Sequence, residues 1–386
     1  ISKNIQTGPF GSQLHQSDYS ECGIPVVMPK DLVGGKISEE SIARVDKTHV
    51  ERLCRHKIEV GDILYSRRGD VGRCAYVTKK EEGWLCGTGC LRVTIDSEKA
   101  DSRFVFFQLQ HPDTVGWVEK HAVGATMLNL NTTILSSVPI RLPALEIQKR
   151  IADILSAYDD LIENNQKQIK LLEEAAQRLY KEWFVDLRFP GWENTKIVDG
   201  VPEGWEKLPL SSFADIVMGQ SPKSEFYNTT HDGIPFHQGV GSYGKRFVVD
   251  NIFSNSYARI AEAGSILFSV RAPVGRLNIT KNKIAIGRGL AALNHKKGYQ
   301  SFLFYLLKDR FFKDDLLGNG SIFASISKNE LYNQVFIVPN NFLANQYNII
   351  VSKIDRKISI IDEQLNRLVK TRDGLLSKLM NAETEV

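Results

Sequence analysis

The most regular pattern in the chain is an alternation of apolar positions at steps of three and four, and it occurs twice. Near the C-terminus Val351, Ile354, Ile358, Ile361, Leu365, Leu368, Leu375 and Leu379 keep it, with Arg372 in the single polar slot. Leu155, Tyr158, Ile162, Ile169, Leu172, Ala176, Leu179 and Trp183 repeat the register earlier, with Asn165 as the polar member. Heptads sustained this long predict two helices that meet along a coiled-coil seam, each of about 30–35 residues and about 45–50 Å. The block of chain between them favours an antiparallel pairing, although periodicity alone also admits a parallel one. Asn165 is either a tolerated polar group or a selector of register. Pro143 and Pro339 end an extended segment just before each helix.

Ahead of each helix the apolar runs shorten and are punctuated by Gly, Pro, Asn and Asp. Strands are predicted at 26–28, 63–66, 74–77, 91–95, 247–249, 266–270 and 277–279, with helices over 102–110 and 299–308. The predicted order is a mixed α and β block over 1–145, a long helix over 146–185 and a turn-rich linker over 186–205. A second mixed block over 206–343, a second long helix over 344–381 and a tail over 382–386 follow.

The order is duplicated in residues as well as in pattern. A shift of 196 positions aligns Gly124–Phe184 with Gly320–Met380 without a gap, matching Leu135, Pro143, Asp159 and Leu172 to Leu331, Pro339, Asp355 and Leu368. Upstream, Gly61–Ser66 resembles Gly264–Ser269, Gly87 and Gly89 match Gly287 and Gly289, and Gly23–Pro25 matches Gly233–Pro235. A period this long marks a duplicated domain rather than a solenoid. The lead-in of the second copy, running from Gly204 to Val217, finds no counterpart before Ile1, as expected of an N-terminal truncation or a renumbering.

Composition narrows the class. The chain has 386 residues, 42% of them hydrophobic and 24% charged, enough for packed cores. Its formal net charge is +4, and the block over 206–345, with 16 basic and 10 acidic residues, is the part that leans toward a polyanion. No apolar run approaches membrane-spanning length and no leader opens the chain. All five cysteines precede position 91 and form no disulfide ladder, so a cytoplasmic location is expected.

Motifs for chemistry are absent. Gly239–Gly244 spells the glycine pattern of a dinucleotide loop, but Lys245–Val249 reads as a strand where a helix should start, so it is a turn. His111, Asp113, Glu119 and Lys120 lack nuclease spacing, Cys86 and Cys90 have no second pair for zinc, and His231 and His237 read as structural or surface residues. What remains is a basic, glycine-rich reading surface. Arg67, Arg68 and Arg73 cluster after a strand in the first copy; Arg271, Arg276 and Arg288 take comparable places in the second, with Lys245 and Arg246 beside them. Arginine suits both phosphate clamping and bidentate contact with guanine. The loops Thr7–Gln13 and Gly219–Lys223 could approach a backbone or base edge, adding Ser12, Gln13 and Lys223 as DNA-binding candidates, and Lys30 is a further one.

Thr7–Ser12, Gly61–Gly69, Leu142–Gln148, Trp183–Pro190 and Val201–Trp205, in this order within a duplicated plan, resemble the specificity subunit of type I restriction–modification systems. The resemblance covers essentially the whole chain. It implies an α+β fold in which two mixed α/β target-recognition domains are joined by two long helices pairing as an antiparallel coiled coil, a pseudo-twofold internal repeat. It implies double-stranded DNA with a bipartite site as ligand, one half read by each domain, with the helices setting the spacing. It implies two modification subunits as partners, and restriction subunits able to join. No cofactor is expected in this chain itself and no metal site; S-adenosylmethionine would sit in the modification subunits and ATP with magnesium in the restriction subunits. The chain itself would be non-catalytic. The rival readings are a self-contained enzyme, a coiled-coil scaffold without a DNA role, and the targeting subunit of a methyltransferase-only complex.

Overall fold

The computed structural model describes residues 1–124, 127–311 and 325–380; the expected tail over 382–386 and the repeat position Gly320 lie outside them. The chain divides into two compact units, one of residues up to Asn165 together with those from Gln364 onward, the other of Gln166–Glu363. Each unit therefore holds one globular block and a length of both long helices, rather than leaving the helices as separate segments.

In the first unit the principal sheet runs Ser2–Thr7, Cys90–Ile95, Ile63–Ser66 and Cys74–Tyr76, antiparallel throughout. A second sheet orders Tyr19–Ser20, Ala43–Val45, Ile24–Val27 and Leu85–Cys86, with its last pair parallel. The helix Ser102–Gln110, capped by Asp101 whose side chain accepts from Phe104 N, presses Phe104 and Phe107 into the core. Its bounds match the expected ones.

The second unit repeats the plan. Ala214–Met218, Leu290–His295, Ile266–Ser269 and Leu277–Ile279 form the principal sheet in the same order, and Ile234–His237 pairs in parallel with Ile284–Ile286. Ala214–Met218 thus occupies the place of Ser2–Thr7. This corrects the expectation that the whole lead-in lacks a counterpart: its final strand has one. The expected strand at 247–249 makes only isolated bridges, Val248 with Tyr243 and Phe247 with Ile279. The turn at Gly239–Gly244 holds the single helical turn Val240–Ser242, and no helix follows it.

The long helices span Leu145–Tyr180, continued by a π-helical turn over Lys181–Val185, and Asn341–Met380. Within each unit they run antiparallel. In the first, Ile151, Ala152 and Leu155 share a core with Leu376, Leu379 and Met380, and Asp159 pairs with Arg372 at 3.2 Å. In the second, Tyr180 and Trp183 pack against Tyr347. Leu155, Val351, Ile358 and Ile361 are buried, and Tyr158, Ile162, Asn165, Ile169, Leu172, Leu179, Ile354, Leu365, Leu368 and Leu375 are half-buried, as a seam two helices wide requires.

Candidate nucleic-acid interface

In the first unit several loops leave one end of the sheets. Pairing of Thr7 with Leu91 and of Cys90 with Ser66 gathers the residues after Thr7, before Cys90 and after Ser66. The parallel pair Val27 with Cys86 delivers its two following loops to the same place. Gly8 N donates to Cys90 O at 2.9 Å, Gly87 N to Val27 O at 2.8 Å, Arg67 N to Gly89 O at 2.8 Å and Leu130 N to Arg67 O at 2.8 Å. The crossing is so close that a Cβ on Gly8 would lie 1.8 Å from Gly87 O, which closes the position to every other residue.

The second unit reproduces these bonds one for one. Gly219 N donates to Leu290 O at 2.9 Å, Gly287 N to His237 O at 2.8 Å, Val270 N to Gly289 O at 2.9 Å and Ile326 N to Val270 O at 3.0 Å. The loop after Ile266–Ser269 therefore keeps its frame although Ala272 stands where the first copy has Gly69. A cleft of about 960 Å³ opens here, lined among others by Ser221, Lys223, Tyr227, Gln238, Asn251 and Arg288.

Most of the basic residues singled out in the sequence are exposed at these loops. In the first unit Arg68 bridges Asn129, Arg73 Nε donates to Asp70 at 2.6 Å, and half-buried Arg67 lies 5.8 Å from the ring centroid of exposed Phe10. Ser12 is exposed, Gln13 accepts from Phe10 N at 3.2 Å, and Lys30 Nζ is held by Ser41 O at 2.8 Å. In the second unit Arg271 bridges Ser325 and lines a recess with Gln238, Lys223 sits 3.6 Å from Glu225, and Lys245, Arg276 and Arg288 are exposed.

Arg246 departs from the expected surface. It is 4% exposed, donates to Glu173 at 3.1 Å and to Tyr305 Oη at 3.3 Å, pairs with Asp355, and stacks 4.5 Å from the Phe304 centroid. It fastens the second block to both long helices and is unavailable to DNA.

The remaining polar residues have structural roles. His237 is buried, with Nδ1 2.7 Å from Ser242 Oγ and Nε2 3.0 Å from Asp250, and that hydrogen bond holds the Asp250 carboxyl below the usual carboxylate range. The chain of three groups fixes the Gly239–Gly244 turn against the cleft. His111 caps the helix Pro112–His121. Burial pushes the Cys86 thiol up to about 12 and the Cys90 thiol well above its ordinary value, the opposite of what a ligand or nucleophile needs. Among the described residues no group of three His, Cys, Asp or Glu is placed to hold a metal ion, and no helix is long and apolar enough to cross a membrane.

Sequence reading missed Met28, Gln238 and Asn251, and reached Ser221 only as part of the Gly219–Lys223 loop. Gly87 and Gly287 were the signal available for the first two.

This duplicated frame has relatives. The family model described as type I restriction modification DNA specificity domain matches residues 19–174 and again 202–370. A Methanocaldococcus jannaschii protein assigned to the type I restriction enzyme MjaX as its specificity subunit is 31% identical, covering 96% of this chain and 89% of its own. The type I restriction enzyme MjaIX specificity subunit of the same organism is 26% identical, over 96% and 88%. The crystal structure of a type I restriction–modification S subunit from M. genitalium has the same fold, with a TM-score of 0.62 at 19% identity, covering 97% of this chain and 93% of that one. The chain belongs to the type I restriction–modification DNA specificity family, whose members of this plan are DNA-recognition specificity subunits.

Proposed function

We propose that each globular block reads one half of a bipartite DNA site and that the paired helices set the distance between the halves. The observation that carries this reading is the duplicated loop frame at Arg67–Gly89 and Val270–Gly289. Two separate blocks present equivalent loop ends, each carrying exposed basic and polar side chains. Basic residues hold phosphates and fix register, while groups that reach base edges in the major groove supply sequence information. A spacer fixed by helix length is measured rather than read.

The chain does no chemistry in this account. It directs partners: two modification subunits docked on the helices, carrying S-adenosylmethionine and methylating adenine, with ATP-driven restriction subunits able to join. Exposed Ile154 and Ile350, equivalent positions in the repeat on the outward side of the two helices, support docking of one partner per copy.

The test is a block exchange. Replacing residues 1–145 with the corresponding block of a relative, and mapping methylation by the assembled complex, is expected to change one half-site only. A target unchanged in both halves, or changed in both, contradicts the division.

A further inference from the structure

The first glycine of each loop frame faces one side chain from the parallel neighbour. In the second unit that side chain is Gln238. A Cβ on Gly287 would lie 2.6 Å from Gln238 Oε1, and one on Gly289 would lie 2.5 Å from Gln238 O. In the first unit the equivalent is Met28, because Val27 pairs with Cys86 as His237 pairs with Ile286. There a Cβ on Gly87 would lie 2.6 Å from Met28 Sδ. Gly87 and Gly287 are thus needed for residue 28 or 238 to lie across the loop, whereas the second glycine faces the Pro29 ring in the first unit and the Gln238 backbone in the second.

The surroundings follow the occupant. Ser221 Oγ donates to Gln238 Oε1 at 2.8 Å while accepting from Arg288 N at 3.1 Å, so the Gln238 amide is oriented with its Nε2 unpartnered among the described residues. Gln238, Ser221 and Arg288 all line the cleft. At the matching places the first unit has Met28, Phe10 and Thr88, with Phe10 exposed. The second unit therefore offers an oriented amide at the cleft with Arg288, while in the first half-buried Met28 packs against the apolar cluster of Leu14, Val26 and Leu85.

We propose that residues 28 and 238 are the base-discriminating positions of their blocks, Gln238 by hydrogen bonding an adenine edge and Met28 by apolar contact with a thymine methyl. Glutamine pairs bidentately with adenine N6 and N7, and the thymine methyl is the apolar group the major groove presents. Arg288, one residue from Gly287, is placed for a neighbouring guanine or phosphate. The inference rests on the proposed reading of one half-site per block.

The test maps methylation by the complete complex containing the wild-type chain, Gln238→Met or Met28→Gln. Gln238 is exposed, so its replacement leaves the core intact. Gln238→Met is expected to relax one adenine position, by on the order of tenfold or more, in the half-site that follows the second block upon block exchange. Met28→Gln is expected to alter one position in the other half-site only, which keeps the proposal testable if Gln238→Met abolishes methylation. A split wild-type motif that both variants leave unchanged overturns the assignment while the half-site reading stands. A wild-type motif that is not split overturns that reading, and this inference with it.

Discussion

The hydroxyl of Tyr347 on the second long helix donates to the carbonyl of Ala176 on the first at 3.0 Å, in a site closed to water. The bond fixes both the axial register and the antiparallel sense of the helices in the second unit. Tyr180, Phe184 and Phe302 surround it with edge-on ring contacts, so the hydroxyl can be removed without leaving a large void.

Tyr347→Phe is expected to destabilise the chain by about 0.5–1.5 kcal/mol, the net contribution of one hydrogen bond. Denaturant unfolding followed by far-ultraviolet circular dichroism checks it. An unchanged midpoint would show that the register is held by ring packing alone.

Arg246 is expected to act through stability and not through DNA contact. Arg246→Ala leaves Glu173 and Asp355 facing each other without their common cation and costs about 3–5 kcal/mol, as breaking a buried pair does. Exposed Arg271→Ala is expected to leave the unfolding midpoint within about 0.5 kcal/mol while weakening DNA binding and reducing its salt dependence. Thermal melts and binding measured at two salt concentrations separate the two effects.

Two buried histidines contribute to the loss of stability in acid. Burial lowers the pKa of His56 and of His295 to about 4. His56 Nε2 accepts from Arg55 Nε at 2.9 Å and His295 Nδ1 accepts from Lys297 N at 3.1 Å, so both rings must be neutral in the folded chain. The unfolded chain binds more protons than the folded one between about pH 6.5 and about pH 4, so stability from these groups is present above that window and lost as pH falls through it. His56→Gln with His295→Asn keeps an acceptor at each place and is expected to flatten the decline. A double variant with the wild-type pH profile would contradict this origin.

The spacer is expected to follow helix length. Seven residues added in register to both helices, after Asn165 and after Glu363, lengthen each by about 10 Å, which is about three base pairs of DNA. Methylation mapping should return the same two half-sites with a longer gap. Altered half-sites at an unaltered gap would contradict the ruler.

The parts of this architecture that were legible in the sequence are those written in local periodicity. Val351 to Leu379 announces a seam because every contact repeats the same spacing, and Ser102–Gln110 declares itself by its cap and apolar face. Residues whose role depends on distant partners were not legible. Arg246 reads as half of a surface pair with Lys245, and only Glu173 and Asp355, 73 and 109 residues away, reveal that it is buried. The strand Ala214–Met218 escaped alignment with Ser2–Thr7 because the two share backbone pairing and almost no side chains. Met28 and Gln238 become comparable only when parallel pairing places each beside Gly87 or Gly287, while Arg67 and Arg271 were found because arginines after a strand are conspicuous in any order of folding.

The most direct test of the central claim is long-read methylation mapping in a methylation-free host that expresses the modification subunit with and without this chain. The account predicts adenine methylation at a single split motif, present only when the chain is present. Methylation that is the same in both cases, with the complex shown to assemble, would contradict it.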